Sequence, residues 1–406
     1  MNFARRLLRP RRATLGALGL AGLCWLATGC ATPGGSGPTP ARDQVLVNYR
    51  GAADFMQRAR FAEAKPLLDA SLATLGGITA GDRSARQARG YFREESRKTF
   101  RGEPYERVMA YYYRGILYWM DGEPDNARAC FRSGQVQDAD AGEARYQSDY
   151  VLLDYLDGYA TAKLCGDGSD ALKRARAAAR SGPPPDYDRE ANVLVFYELG
   201  RGPTKYATGE YQEQLRFRAG SAGNVAVRVR VAGREVRAGA YDDLSFQATT
   251  RGGRVMDHVL ANKAVFKSGT DTFGNAALLS GAILATQRGT GSAVDEVGLG
   301  LLAAGLIGKV VSAATTPRAD TRTWDNLPNL LGFVPLRVPP GEHRLTVEFL
   351  NPAAGVTLTR DATFTVTPGG RDVVLFFSDR AGPPGLPPAA SPTPPSSANS
   401  TARPSP

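Results

Sequence analysis

Histidine is almost missing from this chain: His258 and His343 are the only two in 406 residues. His258 stands beside Asp257 in a helical pattern, and His343 follows a turn in a strand-like run. Neither has partners at metal-ligand spacing, and no HExxH, CxxC or paired-histidine motif is present, so structural or surface roles are expected for both. The serines stand in no GxSxG elbow. The carboxylate pairs Asp242–Asp243 and Asp295–Glu296 are sequence neighbours beside turns and aim poorly at one substrate. Two acids across a cleft, as a glycosidase uses, are the enzymatic arrangement that spacing leaves open. The loop Gly200–Lys205 lacks both GxxxxGK[ST] spacing and a GxGxxG that opens a helix. It reads as a conformational loop and not a phosphate cradle.

One-signed charge is scarce as well. The formal charge is +10, but residues 1–29 hold five arginines and no acid, which leaves +5 for the remainder. Spread over mixed-sign segments, that is a mild preference for anionic surfaces and not a nucleic-acid footprint, and no zinc-finger, RNP-like or Lys/Arg-block signature appears. A long apolar run is also lacking at the start, because Leu15 to Leu26 is short for a span of about 20 residues. Arg5, Arg6, Arg9, Arg11 and Arg12 precede that run, and Ala27-Thr28-Gly29-Cys30 follows it. A basic region, a short apolar stretch and small residues describe a secretory signal peptide. The Cys after Gly resembles the bacterial lipobox, which implies lipidation at Cys30. Each buried methylene of the acyl chains adds about 0.8 kcal/mol, so such an anchor would hold firmly.

Cysteine usage then simplifies. Cys24 leaves with the signal and Cys30 carries lipid, so Cys130 and Cys165 remain. They are either a disulfide between neighbouring helices, which export permits, or two small buried thiols.

What the chain does have is a content of 42% hydrophobic and 9% aromatic residues, enough for real cores, organised around Tyr111 to Asp140. At helical period this stretch gives two amphipathic helices separated by a turn at Asp121–Pro124. Gly115 and Ala127 are small where helices must touch, and Tyr118 and Phe131 are large beside them. The pattern resembles the tetratricopeptide repeat, a helix pair of about 34 residues. Glu106, early in the first helix, favours the positive end of its dipole. Val45–Arg58 with Phe61–Leu75, and Tyr150–Leu164 with Ser169–Arg180, make a pair on either side, giving the three units that such stacks need. Ser84–Thr99 adds a polar, basic helix.

Beyond Ser181–Pro185 the alphabet changes to strands: Asn192–Leu199, Gln214–Arg218, Val225–Val231 and Leu244–Thr249, then Phe333–Val338, Glu342–Leu350, Val356–Leu358, Ala362–Thr367 and Asp372–Phe377. In Val225–Val231 one face is Val and the other carries Arg228 and Arg230. These strands read as an antiparallel β-sandwich in two segments. Between them, Ala277, Gly281, Ala285 and Gly289 in Thr272–Gln287, and Gly300, Ala304, Gly308 and Ser312 from Val297 onward, repeat every four positions. Such ridges let two helices approach closely, as a buried hairpin or as a membrane-inserting one.

Trp, Tyr and Arg anchor interfaces, which singles out Arg322, Trp324, Lys205 and Tyr206, with Tyr112 and Arg114 on a concave repeat face. Trp324 has an equally plain reading as a plug where helices meet strands. Residues 102–115 (GEPYERVMAYYYRG), 200–206 (GRGPTKY) and 320–328 (DTRTWDNLP) resemble an uncharacterised family of tetratricopeptide-repeat bacterial envelope lipoproteins with a C-terminal β-domain. The hairpin 341–349 (GEHRLTVEF) is similar to short surface β-domains of exported bacterial proteins. The resemblance implies an outer-membrane location, with which Ala31 after the lipidated Cys agrees, and a part in envelope assembly.

The expectation is therefore an α+β multidomain chain. A signal peptide (1–29) and flexible tether (30–42) precede an α-solenoid of tetratricopeptide-like pairs (43–180). A β-sandwich-like domain follows (190–250 and 317–380), with a Gly/Ala-rich helical hairpin (251–316) inserted and a disordered Pro/Ser-rich tail (381–406) behind. Its expected function is an outer-membrane-anchored, periplasm-facing docking scaffold without catalytic or metal residues or a cofactor. Its partners are the membrane and an envelope protein, with no nucleic acid. The alternatives are a pore or secretion component whose 272–315 helices insert, and an enzyme acting on envelope glycan or peptidoglycan.

Overall fold

The computed structural model describes residues 40–76, 98–139, 149–250 and 318–380. Cys30, the tether before Pro40, most of the 84–99 helix, the 251–316 hairpin with His258 and Asp295–Glu296, and the 381–406 tail lie outside them.

Three helical hairpins form where period and turn chemistry place them. They are α1 (Gln44–Gln57) with α2 (Phe61–Gly76), α3 (Pro104–Met120) with α4 (Pro124–Asp138), and α5 (Val151–Lys163) with α6 (Ser169–Ala178). Among these six helices, each packs on the next along the chain. Helix α3 starts on a capping box: the Glu103 side chain accepts from the N3 backbone, and Glu106 accepts from the Glu103 N–H. The Gly115 slot is real, because a Cβ there would come within 2.6 Å of Phe131 Cε1 on α4.

Among the described residues ten strands follow: β1 (Val193–Leu199), β2 (Thr204–Thr208), β3 (Gln214–Arg218), β4 (Ala226–Val231), β5 (Arg234–Gly239), β6 (Asp242–Asp243), and, after the short α7 (Leu244–Thr249), β7 (Leu330–Leu336), β8 (Gly341–Leu350), β9 (Val356–Val366) and β10 (Val373–Ser378). They make a sheet ordered β10-β1-β7-β6, a second ordered β5-β4-β8-β9, and the separate hairpin β2-β3. The architecture is α+β, with the β10-β1-β7-β6 sheet central. Leu194, Phe196, Phe333 and Phe376 join the helical core from one of its faces. Val195, Tyr197, Val334 and Leu375 join Val227, Val229, Val347 and Phe349 of the other sheet from the opposite face. Burial on both faces is why β1 is nearly unbroken in apolar residues.

Several expectations need correction. Leu244–Thr249 is helix α7, because the Asp243 carboxylate caps it by accepting from Ser245 N and Phe246 N, which ends strand pairing after Asp243. Val356–Leu358 and Ala362–Thr367 are one strand, since Arg360 and Asp361 stay in the ladder opposite Val347 and Thr346. The β unit is mixed and not antiparallel throughout: β1 runs parallel to β10, Val193 opposite Val373. The face with Arg228 and Arg230 is not simply basic, for Glu348 lies 2.9 Å from Arg228 and Glu235 lies 2.8 Å from Arg230.

Candidate functional site

The residues singled out for an interface converge, but inside the fold. The first turn of α3 presents Glu106, fully buried, and β2 presents Lys205, whose side chain is 2% exposed; their charged groups are 2.5 Å apart. Glu106 also accepts from Trp324 N at 2.8 Å and from Glu103 N at 2.6 Å. Lys205 Nζ donates to the Arg322 carbonyl at 2.9 Å, above the Phe100 ring. Three backbone groups, from Glu103, Arg322 and Trp324, therefore bond to one carboxylate–ammonium pair, as burial of an ion pair demands.

Residues 320–328 cross this seam as a strap over the helices. Trp324 is 0% exposed, stacked on Tyr49 at 4.3 Å and edge-on to Tyr113 at 6.1 Å. Arg322 pairs with Asp320 and, at 2.6 Å, with Asp43 ahead of α1. Arg50 of α1 donates to the Thr323 carbonyl at 2.7 Å and pairs with Asp325 at 2.9 Å. Gly202 donates to the Leu327 carbonyl, and a Cβ there would meet Pro328 O at 2.6 Å. The 200–206 loop is thus pressed onto the strap. Tyr206 is half-buried, with the Arg218 guanidinium 5.1 Å from its ring.

Tyr112 and Arg114 are not on an open concave face. Tyr112 is 2% exposed and packs on Phe196 of β1 and Phe131 of α4. Arg114 is held by Asp69 at 2.6 Å and lies 3.5 Å over the Tyr118 ring. The chain's own central sheet covers the inner side of α3, where Tyr113 Oη donates to Glu198 Oε2 at 2.6 Å.

A second place was missed from sequence. A cleft of about 230 Å³ opens among Asp149, Arg180, Tyr241, Asp242, Phe246 and Gln247. Asp242, 4% exposed, accepts from Val151 N and Leu152 N, both at 2.8 Å, and so caps α5 from another element. Burial pushes its carboxyl up to about 7 against the pull of those two N–H groups. Asp149 accepts from Gln247 at 2.8 Å and Arg180 at 3.2 Å, and the Arg180 guanidinium lies over the Phe246 ring. The available signal was at the start of α5, where the capping position is Tyr150, which has no side-chain cap bond to offer. The adjacent acids Asp242 and Asp243 diverge, one capping α5 and the other α7. Both Asp242 oxygens are engaged by backbone, so the arrangement fixes a helix start.

Cys130 is buried and Cys165 exposed, and both are free thiols. Burial pushes the Cys130 thiol up to about 11. His343 Nε2 lies 2.7 Å from the Pro339 carbonyl. Among the described residues no three His, Cys, Asp or Glu side chains gather as a metal site, and no helix is long and apolar enough to cross a membrane. No family model, curated protein or solved structure matches the chain.

Proposed function

We propose that the protein is a lipid-anchored docking protein of the bacterial envelope, outer-membrane-bound and facing the periplasm, with no catalytic step of its own. The observation that carries this reading is the arginine-led apolar run ending in Ala27-Thr28-Gly29-Cys30. Nine residues lie between Cys30 and the start of the described fold at Pro40, a reach of at most ~35 Å when fully extended. The Gly115–Phe131 slot supports reading the helix pairs as tetratricopeptide-like, and the shared core of the two four-stranded sheets supports reading them as a sandwich.

Docking then falls to outward surfaces, because the inner side of α3 is taken. On α4, Arg132 is exposed and Arg128 half-buried; both also draw on the Asp157 carboxyl of α5, and the pair suits an acidic partner. Mass spectrometry of the mature N-terminus is the direct test. Acyl groups on Cys30 are expected, and an unmodified thiol there sinks the anchor. Photo-crosslinking in cells from position 132 should capture an acidic envelope protein, and adducts from position 112 should be absent.

A further inference from the structure

The hairpin β2-β3 belongs to neither four-stranded sheet, and its two faces differ in kind. Residues directly opposed across an antiparallel pair share a face. Lys205, Ala207, Leu215 and Phe217 therefore point one way, into the molecule. Lys205 reaches Glu106, Phe217 lies edge-on to Tyr105 at 6.0 Å, and Leu215 and Ala207 pack with Ala319. Thr204, Tyr206, Thr208, Gln214, Arg216 and Arg218 point the other way. Arg216 and Arg218 are exposed, and among the described residues neither has a carboxylate partner. Arg216 donates to the Gln214 side chain at 2.9 Å, and the Arg218 guanidinium stays by the Tyr206 ring. Arg201, also exposed, stands at the open end of the hairpin, where its backbone pairs with Ser221. Of the acids in this segment, Glu213 is buried and accepts from Tyr211 N at 3.0 Å. Glu210 sits at the turn, the end far from Arg201 and Arg218.

This face offers charge and one amphipathic ring, without the apolar centre on which a protein interface is built. A headgroup layer asks for those two things: arginines for its phosphates and a tyrosine at its apolar boundary. The chain also enters the described fold here. Arg322 pairs at 2.6 Å with Asp43, close after Pro40, and its carbonyl accepts from Lys205 of β2. We propose that the outward face of β2-β3 lies against an anionic lipid surface, with its arginines on the phosphates and Tyr206 among them. The inference rests on the lipid-anchored reading and deepens it: the acyl chains hold the protein at a bilayer, and this face sets which side of it meets the headgroups.

The test is partition of the mature chain with Cys30→Ser onto vesicles, which needs no acyl group and so can fail while the mass spectrum of Cys30 still upholds the anchor. Near an anionic bilayer each arginine strengthens binding roughly fivefold. Vesicles with a third phosphatidylglycerol in phosphatidylcholine, at low salt, should therefore bind the chain about 25-fold or more better than phosphatidylcholine alone. Arg216→Gln with Arg218→Gln should remove most of that excess and leave Tm unchanged, because both side chains are exposed. Arg234→Gln with Arg237→Gln on β5 makes the same change of net charge elsewhere and should keep most of the excess. Equal binding to the two kinds of vesicle, or equal losses in the two double variants, overturns the proposal. So does binding that depends on Arg216 and Arg218 but is found with a polyglutamate peptide and not with the vesicles, which assigns the face to an acidic chain.

Discussion

The two faces of this molecule use the same chemistry under opposite conditions. On the helix side, Glu106 and Lys205 are 0% and 2% exposed, and backbone groups of Glu103, Trp324 and Arg322 bond to them. On the outer sheet, Arg230 bridges Glu235 and Glu348 with its side chain 45% exposed. Desolvation makes the first pair all-or-none, since either partner left alone is a buried charge. Water and salt make the second nearly dispensable. The difference teaches where the fold is held: at the seam that ties helices to strands, and not across its charged exterior.

The sharpest way to break that contrast is Lys205→Met. Glu106 then keeps its charge without its counter-ion, and unfolding in urea should show a loss of about 3–5 kcal/mol. Adding Glu106→Gln should recover a large part, because an amide can still accept from Glu103 N and Trp324 N. A single substitution that costs under ~1 kcal/mol would place this pair in the same class as the surface ladder.

A second, somewhat smaller effect follows from pH. Burial raises Asp242 and Glu198 to about 7 and Asp154 to about 6, the last against the pull of Arg174. All three sit where elements join. Their carboxyls are higher in the folded chain than in the unfolded one, near 4, so their stabilisation is full below about pH 4 and declines as pH rises, each gone above its own folded value near 6 or 7. Each group contributes at most about 1.4 kcal/mol per pH unit in that window. The arginine-paired Asp188, Asp361 and Glu235 are shifted the other way and lose their smaller contribution only as acid protonates them. Stability measured from pH 5 to 8 should fall, and Asp242→Asn should flatten the slope. A curve that rises toward pH 7 contradicts this assignment.

The same contrast explains what the sequence made legible. Helices α1 to α6 were readable because apolar period and turn residues are local, and β1 because a strand buried on both faces has little room for polar residues. Strand β10 was legible too, as Asp372–Phe377, but its parallel pairing with β1, far along the chain, left no local trace. Leu244–Thr249 alternates like a strand, yet the Asp243 cap makes it helical. Glu106 shows its dipole role in sequence, but not its bond to Lys205, 99 positions away. Residue type picked out Lys205, Arg322 and Trp324 as interface anchors. It could not show that they meet one another, nor that the chain's own sheet covers Tyr112.

Packing between α3 and α4 gives a third, milder handle. In Gly115→Ala the new methyl presses on Phe131, and overpacking of this kind costs about 1–3 kcal/mol, partly offset by alanine's better helix propensity. Phe131→Leu in the same chain should relieve the clash, so the double variant should lose less than the two singles added together. Strict additivity would mean that the two helices slide apart without strain.

The smallest effect is expected on the outer sheet, and it is the control for the others. Arg230→Ala removes two ion pairs whose carboxylates also have Arg228 nearby, at 3.3 Å from Glu235 and 2.9 Å from Glu348. With one arginine left to serve both acids, and water at each, the loss should be about 0–1 kcal/mol. Whatever loss appears should shrink as salt is raised toward ~1 M, where screening acts over about 3 Å. The loss in Lys205→Met should hold its size under the same salt, because no ions reach a pair closed off by Trp324, Phe100 and the strap. Equal salt dependence at the two places would erase the distinction between a buried lock and a solvated ladder.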